Sequence, residues 1–224
     1  MIEAILWDND GLLVDSEALF FRLTREAFAE AGYQLDSVYW GLEYLGNAKH
    51  SSVIASELGM HPELARSVIE HRNEMFLKCL EQPVPLMPEV RETIGALAGK
   101  LRLALVTGSP RDKVELMHRD NGLLDCFEVI ITDNDIGNPK PHPEPYLKAV
   151  ERLALEPRQC LAVEDSRRGL ESAHAAGISC IVIPNALTRV QQFELAYAVE
   201  ERASGVLKHA AAFTGKTFPM PSIS

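Results

Sequence analysis

Two aspartates, Asp8 and Asp10, stand directly after a short apolar run at residues 2–7. A carboxylate at the end of a strand, beside a metal ion and facing a phosphate, is a competent nucleophile, and Asp8 fits that role. Asp10 lies two positions further on, and residues two apart in an extended chain point to the same side. Asp10 can therefore protonate a leaving alcohol as a general acid and later take a proton from water as a general base.

A second acidic pair, Glu164 and Asp165, follows another apolar run. In open parallel sheets, ligands bind outside the carboxyl ends of the strands, so we expect both acidic pairs at one site. Four carboxylates in one cleft repel each other strongly unless a cation lies between them. Mg²⁺ is a hard ion that accepts carboxylate oxygens, water and substrate phosphate. The pattern therefore predicts Mg²⁺ as the cofactor.

A third polar cluster, Thr107, Gly108 and Ser109, follows a further apolar run. Ser109 as N-cap, Pro110 at the first helical position and Asp112 at the third are typical of a helix start. Exposed backbone N–H groups at a helix start bind anions, and Thr107 adds a hydroxyl donor to a phosphate oxygen. We therefore expect residues 107–109 to bind the substrate phosphate.

Lys140 has a proline on each side, and both prolines stiffen its loop. Its ammonium is expected to neutralise charge on the substrate phosphate and on Asp8. We therefore place Lys140 and Thr107, together with Asp8 and Asp10, among the catalytic residues, and Lys140 also among the substrate-binding ones.

Short β-branched runs that alternate with helical patterns must position these residues, and this alternation predicts the α/β class with a parallel sheet. The runs are residues 2–7, 101–106, 129–131, 160–163 and 180–183. Three of them end in the polar clusters described above. Those clusters are expected to converge on one site at the carboxyl edge of the sheet.

A long stretch without a convincing strand separates the first apolar run from the second, too long for a plain crossover connection. Apolar residues recur there with helical spacing, first at Leu19, Phe20, Leu23, Ala27 and Phe28, then at Leu64, Val68, Met75, Phe76 and Leu80. We predict a small helical domain inserted over residues 16–82, in a core formed by residues 1–15 and 83–224.

Residues 7–17 read WDNDGLLVDSE, which resembles the DxDGxxxDSE signature of the haloacid dehalogenase superfamily. Thr107, Lys140 and the run from Glu164 to Ser166 resemble the later motifs of that superfamily and stand in the same order. The helical insert is similar to the cap of the β-phosphoglucomutase and phosphoglycolate phosphatase branch. The resemblance implies a Rossmann-like parallel-sheet core with an inserted α-helical cap domain.

The resemblance also implies a phosphatase that hydrolyses a small phosphorylated metabolite through an aspartyl-phosphate on Asp8. It places Asp8 and Asp165 on the metal by their side chains and Asp10 by its backbone carbonyl. Glu164 is either a further metal ligand or a residue that binds water or orients Asp165, because much of the superfamily has glycine there. Lys49 resembles part of the substrate-specificity loop of the cap, where it either meets a second anionic or hydroxylated part of the substrate or is solvated.

Alternative functions are separated by particular residues. Dehalogenases and phosphonatases of the superfamily do not keep an acid/base aspartate at the position of Asp10. A phospho-accepting signalling domain usually has no inserted cap, and steady phosphate release distinguishes an enzyme from it and from an idle, ligand-binding relative. β-Phosphoglucomutases carry a histidine on the first cap helix, where this chain has Leu19, Phe20 and Phe21, so hydrolysis is favoured over isomerisation.

Composition limits the partners and the compartment. The formal net charge is −10, without the clusters of Lys and Arg that a nucleic-acid surface needs. No apolar run approaches the roughly 18 residues of a membrane span, and no secretory leader is present, so we expect no membrane partner and a cytoplasmic location. The oligomeric state stays open, with a monomer favoured.

The cysteines and histidines give no sign of a metal or redox site. The four cysteines lie far apart without CxxC spacing, so we expect reduced and mostly buried thiols. The histidines, among them His118, show no paired spacing for a metal and are expected to be surface or helix residues.

Overall fold

The computed structural model describes residues 1–221, with a six-stranded parallel sheet at its centre. The last three residues of the predicted core, 222–224, lie outside the described residues. In chain order the strands are β1 (Ala4–Trp7), β2 (Arg102–Val106), β3 (Val129–Ile131), β4 (Cys160–Glu164), β5 (Ser179–Val182) and β6 (Ala198–Val199). Their spatial order is β3-β2-β1-β4-β5-β6. The order reverses beside β1, and such a reversal opens a crevice at the carboxyl ends of the strands.

Helices cover both faces of the sheet. One face packs against α5 (Val90–Leu97), α6 (Arg111–His118) and α9 (Gly205–Thr214), and the other packs against α7 (Glu144–Arg152) and α8 (Arg167–Ala175). Along β1, Ile5 and Trp7 join the first apolar layer, while Ala4 and Leu6 join the second. All four β1 side chains are buried, as expected of a strand covered on both faces.

The predicted α/β class with a parallel-sheet core is confirmed. Each of the five predicted apolar runs overlaps a strand of the sheet, although β4 ends one residue after the predicted 160–163 and β5 lies one residue before the predicted 180–183. The sixth strand, β6, was not predicted. It has only two residues, Ala198 half-buried and Val199 exposed, so it lacks the apolar run that marks the other strands.

The region between β1 and β2 is helical, as predicted. It contains α1 (Ser16–Glu30), α2 (Ser37–Trp40), a π-helical segment (Gly41–Gly46), α3 (Ser51–Glu57) and α4 (Pro62–Leu80). These helices share an apolar cluster of their own that includes Phe28, Trp40 and Ile54. The division into a cap at 16–82 and a core at 1–15 and 83–224 stays a prediction.

One residue of the second predicted apolar face is wrongly placed. Leu64 is 41% exposed, whereas its neighbour Ala65 is buried in the apolar cluster of the insert. Consecutive helical residues are rotated by about 100° because a turn takes about 3.6 residues. An error of one position in α4 therefore turns a residue from the core towards solvent.

The π-helical segment is one place where the insert contacts the core. The amide nitrogen of Gln191 donates a hydrogen bond to the carbonyl of Gly41 at 2.7 Å. A Cβ atom at Gly41 would lie 2.2 Å from the carbonyl oxygen of Leu187, so only glycine fits this contact. Leu187 also packs in the apolar cluster of the insert.

All four cysteines are free: Cys160 and Cys180 are buried, while Cys79 and Cys126 are half-buried. Within residues 1–221, no helix combines the length and the apolar character that crossing a membrane requires.

Candidate active site

The ends of β1 and β4 bring the first predicted site residues together. Trp7, the last residue of β1, is in register with Leu105 of β2 and Val163 of β4. Asp8 continues the ladder by donating its N–H to the carbonyl of Val163 at 3.0 Å. Asp8 and Glu164 therefore stand at the same edge of the sheet on neighbouring strands.

The ammonium of Lys140 lies between these two carboxylates. It donates hydrogen bonds to Asp8 Oδ1 at 2.6 Å, to Glu164 Oε1 at 2.7 Å and to the carbonyl of Val106 at 2.8 Å. These contacts use all three of its protons. The hydroxyl of Tyr146 donates to the same Glu164 oxygen at 2.6 Å. Since all of these side chains are buried, water screens their charges little.

Buried negative charge exceeds buried positive charge in this cluster. Burial raises the pKa of Asp8 to about 7, although Lys140 lowers it. Burial and repulsion by Asp8 and Glu164 raise the pKa of Asp165 well above its ordinary range. Burial alone would lower the pKa of Lys140, but pairing with Asp8 and Glu164 outweighs it and raises that pKa. One ammonium does not balance three carboxylates, so the cluster favours a further cation.

The donor set of the cluster suits a hard divalent ion. Asp8, Glu164 and Asp165 each offer a carboxylate oxygen within 4.8 Å of the other two. Asp165 Oδ2 accepts a hydrogen bond from Asn185 at 2.8 Å, and no described residue donates to its other oxygen. Glu164 Oε2 is buried without a hydrogen-bond partner among residues 1–221. Oxygen ligands with this excess of negative charge fit Mg²⁺.

The Asp10 carboxylate is surrounded by hydroxyl groups. Ser16 donates to Oδ1 at 2.7 Å, and Thr107 and Ser109 both donate to Oδ2 at 2.9 Å. Thr107 is fully buried, and its oxygen also accepts the N–H of Ser109 at 3.0 Å. The structure thus directs the Thr107 hydroxyl to Asp10, not into open space where a phosphate would bind.

The helix after Thr107 begins later than the sequence predicts. Helix α6 starts at Arg111, with Pro110 as its N-cap residue and no side-chain cap. The prediction of Ser109 as N-cap is wrong: no N–H of the first turn is donated to Ser109, and the N–H of Arg111 is donated to Asn134 Oδ1 at 2.9 Å.

A cavity of about 280 Å³ opens at these strand ends. The predicted site residues that line it are Asp8, Asp10, Gly108, Ser109, Lys140, Glu164 and Asp165. The insert contributes Glu17 together with three aromatic side chains, Phe20, Tyr44 and Phe76. The cavity therefore has an acidic floor from the sheet and a largely aromatic wall from the insert.

Lys49 does not line this cavity. Its ammonium lies between two carboxylates of the insert, 2.8 Å from Glu43 and 2.9 Å from Glu57, and over the ring of Tyr39. These local ion pairs hold the side chain away from the predicted site. The structure therefore does not support the predicted contact between Lys49 and the substrate.

Sequence reasoning missed the surroundings of Asn9, the residue between the two catalytic aspartates. His118 was predicted to be a surface or helix residue, and it is a helix residue but is buried. Its Nε2 lies 2.7 Å from Asn9 Oδ1, and Asn121 donates to its Nδ1 at 3.1 Å. Burial lowers the pKa of His118, so the neutral ring donates to Asn9.

Other cavity and site residues were also missed: Glu17, Tyr146, Arg168 and Asn185. Glu17 is the last residue of the DxDGxxxDSE stretch, and this position was the one feature of the sequence that could have indicated a role at the site. Burial raises its pKa to about 8, with a further contribution from Asp10. The other three reach the site through tertiary packing, which residue spacing does not reveal.

Comparison with known proteins assigns the family. The chain matches the haloacid dehalogenase-like hydrolases over residues 5–183. The protein YhcW of Bacillus subtilis is 34% identical over 201 residues, covering 87% of this chain and 89% of the relative. The phosphoglycolate phosphatase of Yersinia pseudotuberculosis is 31% identical over 196 residues, covering 80% of each chain.

Among solved structures, CbbY from Rhodobacter sphaeroides in complex with phosphate has a TM-score of 0.72 and 29% identity, covering 91% of this chain and 95% of that one. A mutant of the same protein has been solved in complex with xylulose-(1,5)bisphosphate and has 28% identity, the same TM-score and the same coverage. Both the sheet topology and the family match point the same way: this chain belongs to the haloacid dehalogenase-like hydrolases.

Proposed function

We propose that this protein is a Mg²⁺-dependent phosphatase that hydrolyses a small phosphorylated metabolite through an aspartyl-phosphate on Asp8. The observation that carries the proposal is the state of the two Asp8 oxygens. Lys140 holds Oδ1 at 2.6 Å, and no hydrogen bond from residues 1–221 reaches Oδ2. One oxygen is thus fixed, while the other is available to attack phosphorus at the cavity.

In the first step, Asp8 Oδ2 forms a bond to phosphorus and the bond from phosphorus to the substrate oxygen breaks. The Asp10 carboxylic acid gives its proton to that leaving oxygen, so an alcohol departs. In the second step, Asp10 as carboxylate takes a proton from water, and the water oxygen forms a bond to phosphorus. The bond from phosphorus to Asp8 Oδ2 breaks and inorganic phosphate leaves. Asp8 is again a carboxylate and Asp10 is again a carboxylic acid.

Three residues are proposed to hold Mg²⁺: Asp8 and Asp165 by their side chains and Asp10 by its backbone carbonyl. When bound, the ion supplies positive charge that offsets repulsion between the carboxylates and the phosphate. Lys140 contributes charge on the other side of Asp8, and the N–H of Gly108 is a candidate donor to a phosphate oxygen. The N–H of Ser109 is already donated to Thr107 Oγ1.

The substrate is proposed to be small. The cavity of about 280 Å³ has walls from both the sheet and the insert, and the insert over residues 16–82 is proposed to act as a cap that excludes bulk water during transfer. The relatives support this size class, since one is a phosphoglycolate phosphatase and another binds xylulose-(1,5)bisphosphate. Efficient dephosphorylation of intact phosphoproteins without activity on small esters would contradict a closing cap.

Water is proposed as the phosphoryl acceptor, in preference to a sugar hydroxyl as in a mutase. The first helix of the insert places Phe20 at the cavity wall, and no histidine lines the described cavity. Phenylalanine cannot relay a proton to a second substrate hydroxyl. Incubation with Mg²⁺, β-glucose 1-phosphate and a trace of the bisphosphate tests this choice. Isomer that appears faster than free phosphate would overturn the hydrolase assignment.

The main test is a screen of small phosphorylated metabolites for release of inorganic phosphate, with and without Mg²⁺. We expect release that depends on the metal, stops on chelation and returns when Mg²⁺ is added back. Asp8→Asn is the matched control, because it preserves side-chain size and removes the nucleophile. Release that persists in this variant, or no release from any small ester, would refute the proposal.

A further inference from the structure

Arg168, on the first turn of α8, is a cationic residue of the cavity wall whose guanidinium makes no hydrogen bond or ion pair with residues 1–221. Its Nε is buried and has no hydrogen-bond partner among residues 1–221, and none of their carboxylates lies within 4.0 Å of its guanidinium. The preceding residue differs: Arg167 faces Glu171 at 3.5 Å, contacts Asn47 and does not line the cavity. The Nε of Arg167 is also buried without a hydrogen-bond partner among residues 1–221, but its guanidinium is paired with Glu171 and Asn47, whereas that of Arg168 has no such partner there.

The position of Arg168 is opposite the insert. Although burial raises the pKa of both Glu17 and Tyr44, the charge of Arg168 lowers each of them, so the guanidinium acts on both side chains. Glu17 Oε2 is likewise buried without a hydrogen-bond partner in the described chain. Arg168 therefore faces a part of the cavity that contains unsatisfied polar atoms on both sides.

An unsatisfied buried donor costs free energy in the protein alone, and a ligand that accepts its hydrogen bond removes that cost. The other buried cation of the cavity cannot serve the same ligand group, because the three protons of Lys140 are used by Asp8, Glu164 and Val106. Lys140 belongs to the end where phosphoryl transfer is proposed. Lys113 also lines the cavity, but it is half-buried, its ammonium lies 5.9 Å from the centroid of the Phe76 ring, and it has no buried donor without a partner among residues 1–221. Arg168 is therefore the better candidate to bind a different part of the substrate.

We propose that Arg168 determines substrate specificity by binding a second anionic group, a carboxylate or a second phosphate, on the part of the substrate that is not transferred. This inference rests on the proposed phosphatase function and narrows its substrate class to small phosphate esters with two anionic groups. The planar guanidinium presents its N–H donors as a fork that matches the paired oxygens of both kinds of anion. A phosphate ester whose remaining part is uncharged offers no second anion to the N–H donors of the Arg168 guanidinium.

Two matched substrate pairs test the inference. 3-Phosphoglycerate is compared with glycerol 3-phosphate for a carboxylate, and propane-1,3-diyl bisphosphate with 3-hydroxypropyl phosphate for a second phosphate. We expect the wild type to have a higher kcat/KM for the member with the second anionic group than for its counterpart without that group, in at least one pair. The pair that shows this preference identifies the anion. Turnover of p-nitrophenyl phosphate without preference in either pair would overturn this inference and leave the phosphatase assignment intact.

The variants separate substrate binding from a structural role. Arg168→Gln should lower kcat/KM for the preferred anionic substrate by about 10- to 100-fold, mainly through KM, because a charge-assisted hydrogen bond is lost. Arg168→Lys should lie between, since it keeps the charge without the fork. In both variants, kcat/KM for the ester without the second anionic group should change little. Arg167→Gln should leave the preference of the wild type unchanged. An equal loss of kcat/KM on both members of a pair would show that Arg168 stabilises the structure or binds the transferred phosphate, and would refute the inference.

If none of these esters is hydrolysed, p-nitrophenyl phosphate included, both the phosphatase proposal and this inference are refuted.

Discussion

The buried contact between Asn9 and His118 offers a quantitative test of how the loop of the catalytic aspartates is held. The two side chains are 0% and 3% exposed and meet at 2.7 Å. Replacing either one by leucine leaves the other with an unpaired polar group, at a cost of about 1–3 kcal/mol. For a chain of this size, 1 kcal/mol corresponds to about 2–4 °C in Tm, so each single variant should lose about 2–12 °C.

The double variant Asn9→Leu/His118→Leu makes the reasoning refutable. Removing both partners of a buried hydrogen bond costs less than the sum of the single changes, so we expect a coupling free energy of about 1–2 kcal/mol. Urea unfolding of the four proteins measures it. If the two single effects add to within about 0.5 kcal/mol, the contact does not stabilise the fold as argued. Steady-state kinetics on the same proteins should show a lower kcat for each single variant, because Asn9 lies between Asp8 and Asp10.

The pH dependence of stability is a further readout of the same contact. Burial lowers the pKa of His118 below its ordinary value of 6.5. Below pH 6.5 the unfolded chain therefore binds a proton that the folded protein excludes, and stability falls as the pH decreases through this range. Above pH 6.5 this histidine contributes no pH dependence. The slope between pH 6.5 and 5 should be smaller in His118→Leu, and an unchanged slope would show that His118 titrates normally.

The remaining predictions concern the catalytic residues and Lys49. Asp8→Asn should retain the fold by circular dichroism and fall below about 1% of wild-type turnover, because the nucleophile is lost. Asp10→Asn should bind Mg²⁺ in calorimetry yet lose about 10²- to 10⁴-fold in rate on an alkyl phosphate; near-normal rates would exclude Asp10 as the acid. Lys49→Ala breaks ion pairs with Glu43 and Glu57 at the protein surface, so kcat/KM should change by less than about threefold and Tm should change little. A tenfold rise in the KM of Lys49→Ala would contradict this prediction and indicate that Lys49 contacts the substrate.

The sheet could be predicted because its buried strands are continuous apolar runs in the sequence. Residues 4–7 are covered on both faces, which requires an unbroken apolar run, and the polar residues after such runs mark the carboxyl edge of the sheet. Strand β6 has no such run and was missed for that reason. The helical insert could be recognised from its periodicity, while the face of a single residue, Leu64, could not.

Within the site, the sequence indicates which residues converge but not which atoms meet. Asp8, Lys140 and Glu164 follow strands or a stiff loop, so topology alone brings them together. The hydroxyls of Thr107 and Ser109 had several possible acceptors, and the choice of Asp10 depends on distances that arise only after β1 and β2 pair. Lys49 has the carboxylates of Glu43 and Glu57 within reach in the insert. These local ion pairs are favoured over a contact with a substrate in the more distant cavity.

The two oxygens of Glu164 distinguish its role from that of Asp165. Its Oε1 already accepts from both Lys140 and Tyr146, so much of its charge is compensated by the protein. Asp165 receives only the amide of Asn185, and its pKa is raised well above the ordinary range by burial and by its acidic neighbours. A bound cation gains most beside the less compensated carboxylate, so we propose Asp165 as the better metal ligand, with the unpaired Oε2 of Glu164 as a second available carboxylate oxygen. We propose that Glu164 acts chiefly through Lys140, by holding the ammonium against the nucleophile.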